Sequence, residues 1–120
     1  MSETERLTST PVGVALGALD IVADGKARGF VIEMQAGRFY GFVVRQGETV
    51  RGYVDRCPHM GFQLVQRLDD YLTPSGEMIA CAWHSALFDI ADGRCLGGPC
   101  RGQRLIPWPV AVIDGRIVTA

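Results

Sequence analysis

The sequence predicts an all-β fold, a small antiparallel β-sandwich or barrel, and three observations carry that prediction. Short apolar runs rich in β-branched and aromatic residues recur along the chain, and glycine-containing turn dipeptides separate them. The turns fall roughly every 8–12 residues, the spacing of a small sandwich. No segment sustains a 3.6-residue apolar period over three turns. Strands are expected over 30–34, 39–45, 50–55, 78–80, 86–90, 110–113 and 116–119. The punctuation between them is Asp24-Gly25, Ala36-Gly37, Gln46-Gly47, Pro74-Ser75-Gly76, Asp92-Gly93 and Asp114-Gly115. Glycine accepts the positive φ that hairpin turns require. Pro107 and Pro109 flank Trp108 and mark an edge or irregular strand, because proline donates nothing to a ladder.

A chain of 120 residues forms one domain with a modest core. The first eleven residues read as loose and 12–120 as a single domain. A hydrophobic fraction of 48% against 21% charged residues is that of a soluble globular protein. A net charge of −1 argues against a nucleic-acid partner, which selects a basic stripe. Glu3 and Glu5 stand where a secretory signal needs positive charge. The apolar stretch 12–22 is broken by Gly13, Gly17 and Asp20 and is too short to cross a bilayer. The expectation is a cytoplasmic protein without membrane contact. Four cysteines in such a chain point to metal ligation before disulfides.

Two phrases carry the chemistry. Cys57-Pro58-His59 and Cys81-Ala82-Trp83-His84 each offer a thiolate and an imidazole within one tight loop, with 21 residues between His59 and Cys81. The chain has two histidines, and both lie in these phrases. By ligand count alone, Cys₂His₂ suits either a structural zinc or a [2Fe–2S] centre with two histidines on one iron.

The flanking residues separate these readings. The run Cys57-Pro58-His59-Met60-Gly61-Phe62-Gln63-Leu64, then Cys81-Ala82-Trp83-His84-Ser85-Ala86-Leu87-Phe88-Asp89, resembles the two cluster-binding loops of the Rieske family, with Ser85 in a position usually held by glycine. Asp92-Gly93-Arg94 and Gly98-Pro99 resemble the family's proline-containing covering loop. The resemblance spans roughly residue 19 to the end of the sequence. It implies a Rieske-type antiparallel sandwich with a small cluster-binding subdomain, built from two loops at about 56–65 and 80–101, and one Rieske [2Fe–2S] cluster. Cys57 and Cys81 would hold the inner iron, and His59 and His84 the outer one. Gly61, Phe62, Trp83, Ser85, Ala86, Phe88 and Pro99 would surround the cluster. Two ferric ions, two sulfides and two thiolates sum to zero charge, so an electron enters more easily than into a four-thiolate cluster. The outer imidazoles also lose a proton more readily when oxidised, so the potential is expected to rise as pH falls.

Quinol-oxidising members of the family place hydroxyl residues two and four positions after the second histidine, where this chain has Ala86 and Phe88. They also clamp the two loops with a disulfide at positions held here by Phe62 and Trp83. Lacking these devices, the centre is expected near the low end of the family's range of about −150 to +300 mV.

Other residues admit more than one reading. Cys95 and Cys100, with four residues between them, are two small buried hydrophobes, a short-range disulfide bracing the proline loop, or a redox-active pair. Residues 65–76 read as a surface excursion. Met60 reads as a surface residue beside the ligands. Arg94, Arg101 and Arg104 form an acid-free stretch, either a solvated face or a steering patch for an acidic partner. The resemblance implies a one-electron carrier that takes an electron from a flavin reductase and delivers it to an oxygenase or related metalloenzyme. The alternatives are a small Rieske subunit of a larger oxidoreductase such as a nitrite-reductase-like complex, or a metal-stapled binding module without redox function. With both histidines committed, none is left for the mononuclear iron of an oxygenase, so no catalytic site is expected.

Overall fold

Ten strands and one 3₁₀ turn make up the described part of the chain, a computed structural model covering residues 6–7 (backbone only), 10–35, 37–56, 71–73, 75–81, 86–98 and 102–120. In chain order they are β1 (Arg6–Leu7), β2 (Ala15–Ala18), the 3₁₀ turn Leu19–Ile21, β3 (Ala27–Met34), β4 (Gly37–Gln46), β5 (Thr49–Val54), β6 (Met78–Ala80), β7 (Leu87–Asp89), β8 (Cys95–Gly97), β9 (Val110–Ile113) and β10 (Arg116–Thr119). The all-β expectation holds. Sequence reasoning missed β1, β2 and β8. Arg6–Leu7, inside the stretch expected to be loose, pairs parallel with β4.

The strands form three sheets. In the first, β3 runs antiparallel along nearly all of β4, while β1 and β5 share β4's other edge. The second has the order β2-β10-β9, and its β9–β10 hairpin closes through Asp114 and Gly115, both at positive φ. The turn dipeptide read from the sequence thus forms a two-residue loop of the type that matches strand twist. The third is the small sheet β6-β7-β8.

The first sheet is the middle layer. Phe39 and Val43 of β4 pack into one core with Val50, Val54, Trp108 and Ile117, the last from the second sheet. Phe42 and Val44 pack into another with Tyr53, Tyr71, Ile79, Cys81 and Phe88, which includes the third sheet. Alternate residues of a strand face opposite sides, so β4 feeds both cores.

Trp108 anchors the first core. It is 1% exposed, its ring lies 4.6 Å from that of Phe39, and its indole N–H donates to Thr10 Oγ1 (2.9 Å). Two strand glycines make room for it. A Cβ on Gly41 would come within 2.7 Å of the indole, and one on Gly52 would strike the Trp108 carbonyl. In the second core the Tyr53 hydroxyl donates to the Ile90 carbonyl (2.5 Å), tying β5 to the turn after β7. Burial pushes the Tyr53 phenol up to about 12.

Two outcomes are expected. Gly41→Ala overpacks the indole and lowers stability by about 1–3 kcal/mol in urea denaturation. The protonated phenol of Tyr53 contributes in full below the ordinary tyrosine pKa of about 10, and its contribution is lost as pH rises through about 12. The thermal midpoint therefore falls across that interval, and Tyr53→Phe lessens the fall while costing about 1 kcal/mol at neutral pH.

Candidate metal centre

Cys81 lies at the end of β6, 1% exposed and outside any disulfide. Its N–H donates to the Ala86 carbonyl (2.9 Å), while Ala80 pairs with Leu87 one step further down the hairpin. This backbone hydrogen bond holds together the two residues that flank 82–85, the segment that carries His84 in the sequence. Ala86 and Phe88 are fully buried in the same core as Cys81. A thiolate taken into such apolar surroundings needs a cation beside it. The chemistry of this position fits an iron-bound cysteine.

The stem of the other loop is the end of β5. The Asp55 N–H donates to the Tyr40 carbonyl and the Val54 N–H to the Ile106 carbonyl, both at 2.9 Å. Asp55 is 2% exposed, and the Tyr71 hydroxyl donates to its Oδ2 (2.8 Å). Tyr71 stacks on Phe42 with ring centroids 4.2 Å apart and an interplanar angle of 10°. Its carbonyl accepts the Ala80 N–H (2.8 Å), and Leu72 bridges to Ile79. The stem that leads into Cys57 and the stem that leads into Cys81 thus meet at Tyr71. No motif pointed to Asp55 or Tyr71. The only signal was an acid as the last residue of an expected apolar strand, 50–55.

The covering loop rises from β8 and returns at 103–105. The Cys95 N–H donates to the Gln103 carbonyl and the Leu105 N–H to the Gly93 carbonyl, both at 2.9 Å. Gly98, at φ 98°, packs so closely on the second loop that a Cβ there would lie 2.8 Å from Ala86 Cα. Cys95 is disulfide-bonded. Of the readings offered for it, a buried reduced hydrophobe is therefore wrong. Cys81 is excluded as its partner, which leaves Cys57 and Cys100, both outside the described residues.

Of the residues expected to hold or surround a cluster, Cys81, Ala86 and Phe88 are described, and they share one core. Cys57, His59, Gly61, Phe62, Trp83, His84, Ser85 and Pro99 lie outside the described residues, as do Met60, Arg101 and most of the 65–76 excursion. Arg94 and Arg104 are exposed and stand opposite each other as register partners. Among the described residues no helix is long and apolar enough to cross a membrane.

The fold and the loop stems agree with what the chain resembles. No curated protein matches the sequence. The ferredoxin of carbazole 1,9a-dioxygenase from Nocardioides aromaticivorans IC177 is 26% identical, with a TM-score of 0.67 over 93% of this chain and 98% of its own. The Sphingomonas yanoikuyae B1 ferredoxin, 23% identical, superposes with a TM-score of 0.65 over 89% of this chain and 96% of its own. A protein described as the small subunit of a putative NADPH nitrite reductase, 19% identical, does so at 0.63 over 92% and 99%. The last two show the shared fold. The family model of the Rieske [2Fe–2S] domain matches residues 14–113, a span that contains both loops, their stems and the covering loop, and the chain belongs to that family.

Proposed function

We propose that this chain is a one-electron carrier whose [2Fe–2S] cluster is held by Cys57 and Cys81 through sulfur and by His59 and His84 through ring nitrogen. When bound, the cluster supplies a reversible one-electron couple. The chain's own work is to fix four ligands on two closed loops, to keep water from the cysteine side and to offer the imidazole edges to a partner. The observation that supports this most directly is Cys81, a thiol buried among apolar groups at the base of a closed loop within the family match. The chain has no catalytic site of its own, and residues 12–120 act as a single domain. Its acceptor is an oxygenase or similar metalloenzyme and its donor a flavin reductase, as the likeness to an oxygenase's ferredoxin suggests. It works in the cytoplasm.

The centre is of the low-potential kind. Hydroxyl donors to the sulfurs raise a Rieske potential, and Ala86 and Phe88 have none to give. The two tyrosines in the core around Cys81 have one hydroxyl proton each, given to Asp55 by Tyr71 and to the Ile90 carbonyl by Tyr53. With Cys57 bound to iron, the disulfide of Cys95 goes to Cys100 within the covering loop. Such a bond is uncommon in a reducing compartment, and its short span makes it local bracing.

Arg94 and Arg104 stand opposite each other, and Leu96 and Ile106, two residues further along each segment, are exposed. Like charges directly opposite cost stability. This face, on the hairpin that covers the cluster, suits an acidic and apolar patch on the redox partner.

Purified protein is expected to contain two irons and two sulfides per chain. Its reduced form should show the low average g-value of histidine-ligated clusters, and a peptide map should join Cys95 to Cys100. Its midpoint potential is expected near about −150 mV. Failure to reduce at any accessible potential would end the carrier reading, and a midpoint above about +100 mV would end the low-potential assignment. Electron transfer to the native acceptor is expected to slow steeply with added salt, and Arg104→Glu should slow it about tenfold at low salt without moving the potential. A flat salt response means that the arginine face is only solvated.

A further inference from the structure

We infer that Tyr71 is the positioning residue that sets the spacing of the two ligand loops. The inference rests on the cluster reading above and extends it to a residue outside the ligand motifs. The loops spring from different sheets, the first from β5 and the second from the β6–β7 hairpin. No ladder joins the end of β5 to β6 among the described strand pairs. Tyr71 spans that gap. By its backbone it belongs with β6, since its carbonyl accepts the Ala80 N–H at 2.8 Å and its neighbour Leu72 bridges to Ile79. By its side chain it belongs with the first sheet, since it stacks on Phe42 of β4 and its hydroxyl donates to Asp55 Oδ2 at 2.8 Å.

The link is short at both ends. Asp55 stands two residues before Cys57, and Ala80 stands one residue before Cys81. A path of two hydrogen bonds through one side chain therefore runs from one stem to the other. It is also dry, with Tyr71 1% exposed and Asp55 2% exposed, so water does not compete for the hydroxyl. A buried hydrogen bond to a carboxyl group is a geometric constraint with real energy behind it. A metal site whose supports slip by a fraction of an ångström loses affinity before it loses its fold.

The stack and the hydroxyl can be separated. Tyr71→Phe keeps the ring on Phe42 and removes only the donor. In the full chain as purified, it is expected to release iron to a chelator at least about tenfold faster than the parent. It is expected to broaden or shift the g-values of the reduced cluster. Amide exchange should rise at Asp55, Arg56, Ala80 and Cys81 and stay unchanged along the β3–β4 hairpin. Asp55→Ala should give the same pattern. The double variant should fall clearly short of the sum of the two single effects, because the two changes share the Tyr71–Asp55 hydrogen bond. Parental iron release and parental exchange at both stems in Tyr71→Phe would overturn the inference. Additive effects in the double variant would overturn it too. If the parent chain held no iron and sulfide, the cluster reading would fail, and the exchange measurement on the two stems would still decide whether Tyr71 couples them.

Discussion

Gly41, Phe42, Val43 and Val44 are consecutive residues of one strand, and all four are buried. A strand with one wet face alternates buried and exposed, so β4 has no wet face over this stretch. The second sheet covers one side through Trp108 and Ile117, and the third sheet and Tyr71 cover the other. The ligand loops depend on this arrangement, because the side that receives Phe42 and Val44 is also the side that holds Cys81, Ala86 and Phe88. Without Trp108 and Ile117 that face of β4 would be bare, and the platform under the metal centre would lose its cover on that side.

Much of this was legible. The run 39–44 carries no charged residue and no polar–apolar alternation, which marks a strand buried on both faces. Asp114-Gly115 named its hairpin and its turn correctly. The strands that escaped notice are those that pairing creates. β2 is four residues with a glycine inside, β8 is three residues beginning at a cysteine, and β1 is two residues held by the edge of β4. None has a pattern of its own, and each exists because a neighbouring strand offers unpaired backbone groups. The proposed ligands stand out in the sequence because metal binding constrains residue type and spacing together. Cys95 was harder. Four intervening residues suit two separate thiols as well as a closed bridge, and which occurs depends on how sharply the chain bends at Gly97 and Gly98.

Asp55 and Tyr71 were not legible at all, for a physical reason. They are 16 residues apart, and an acid near a tyrosine at that separation has no meaning until the chain between them is folded. Their partnership arises only because Phe42 gives the tyrosine ring a surface to stack on. Supporting contacts of this kind leave no motif, since the requirement falls on the position of an oxygen atom and not on a spacing in the chain.

The division of labour between backbone and side chains follows from the topology. In each stem the described geometry is set by main-chain hydrogen bonds, Cys81 to Ala86 in one and Asp55 to Tyr40 in the other, which any sequence of suitable shape would make. Between the loops the chain crosses from one sheet to another. Backbone bonds through 105–106 join β5 to the turn before β8, Val54 N–H to the Ile106 carbonyl and Leu105 N–H to the Gly93 carbonyl, and side chains add Tyr71 on Phe42, Tyr71 to Asp55, and Tyr53 to the Ile90 carbonyl. Each of these tyrosines gives its only hydroxyl proton to a structural oxygen. The hydroxyls that hold the two halves of the site together are thereby committed to Asp55 and to the Ile90 carbonyl. In this chain the junction between the sheets depends on the direction in which two buried phenols point.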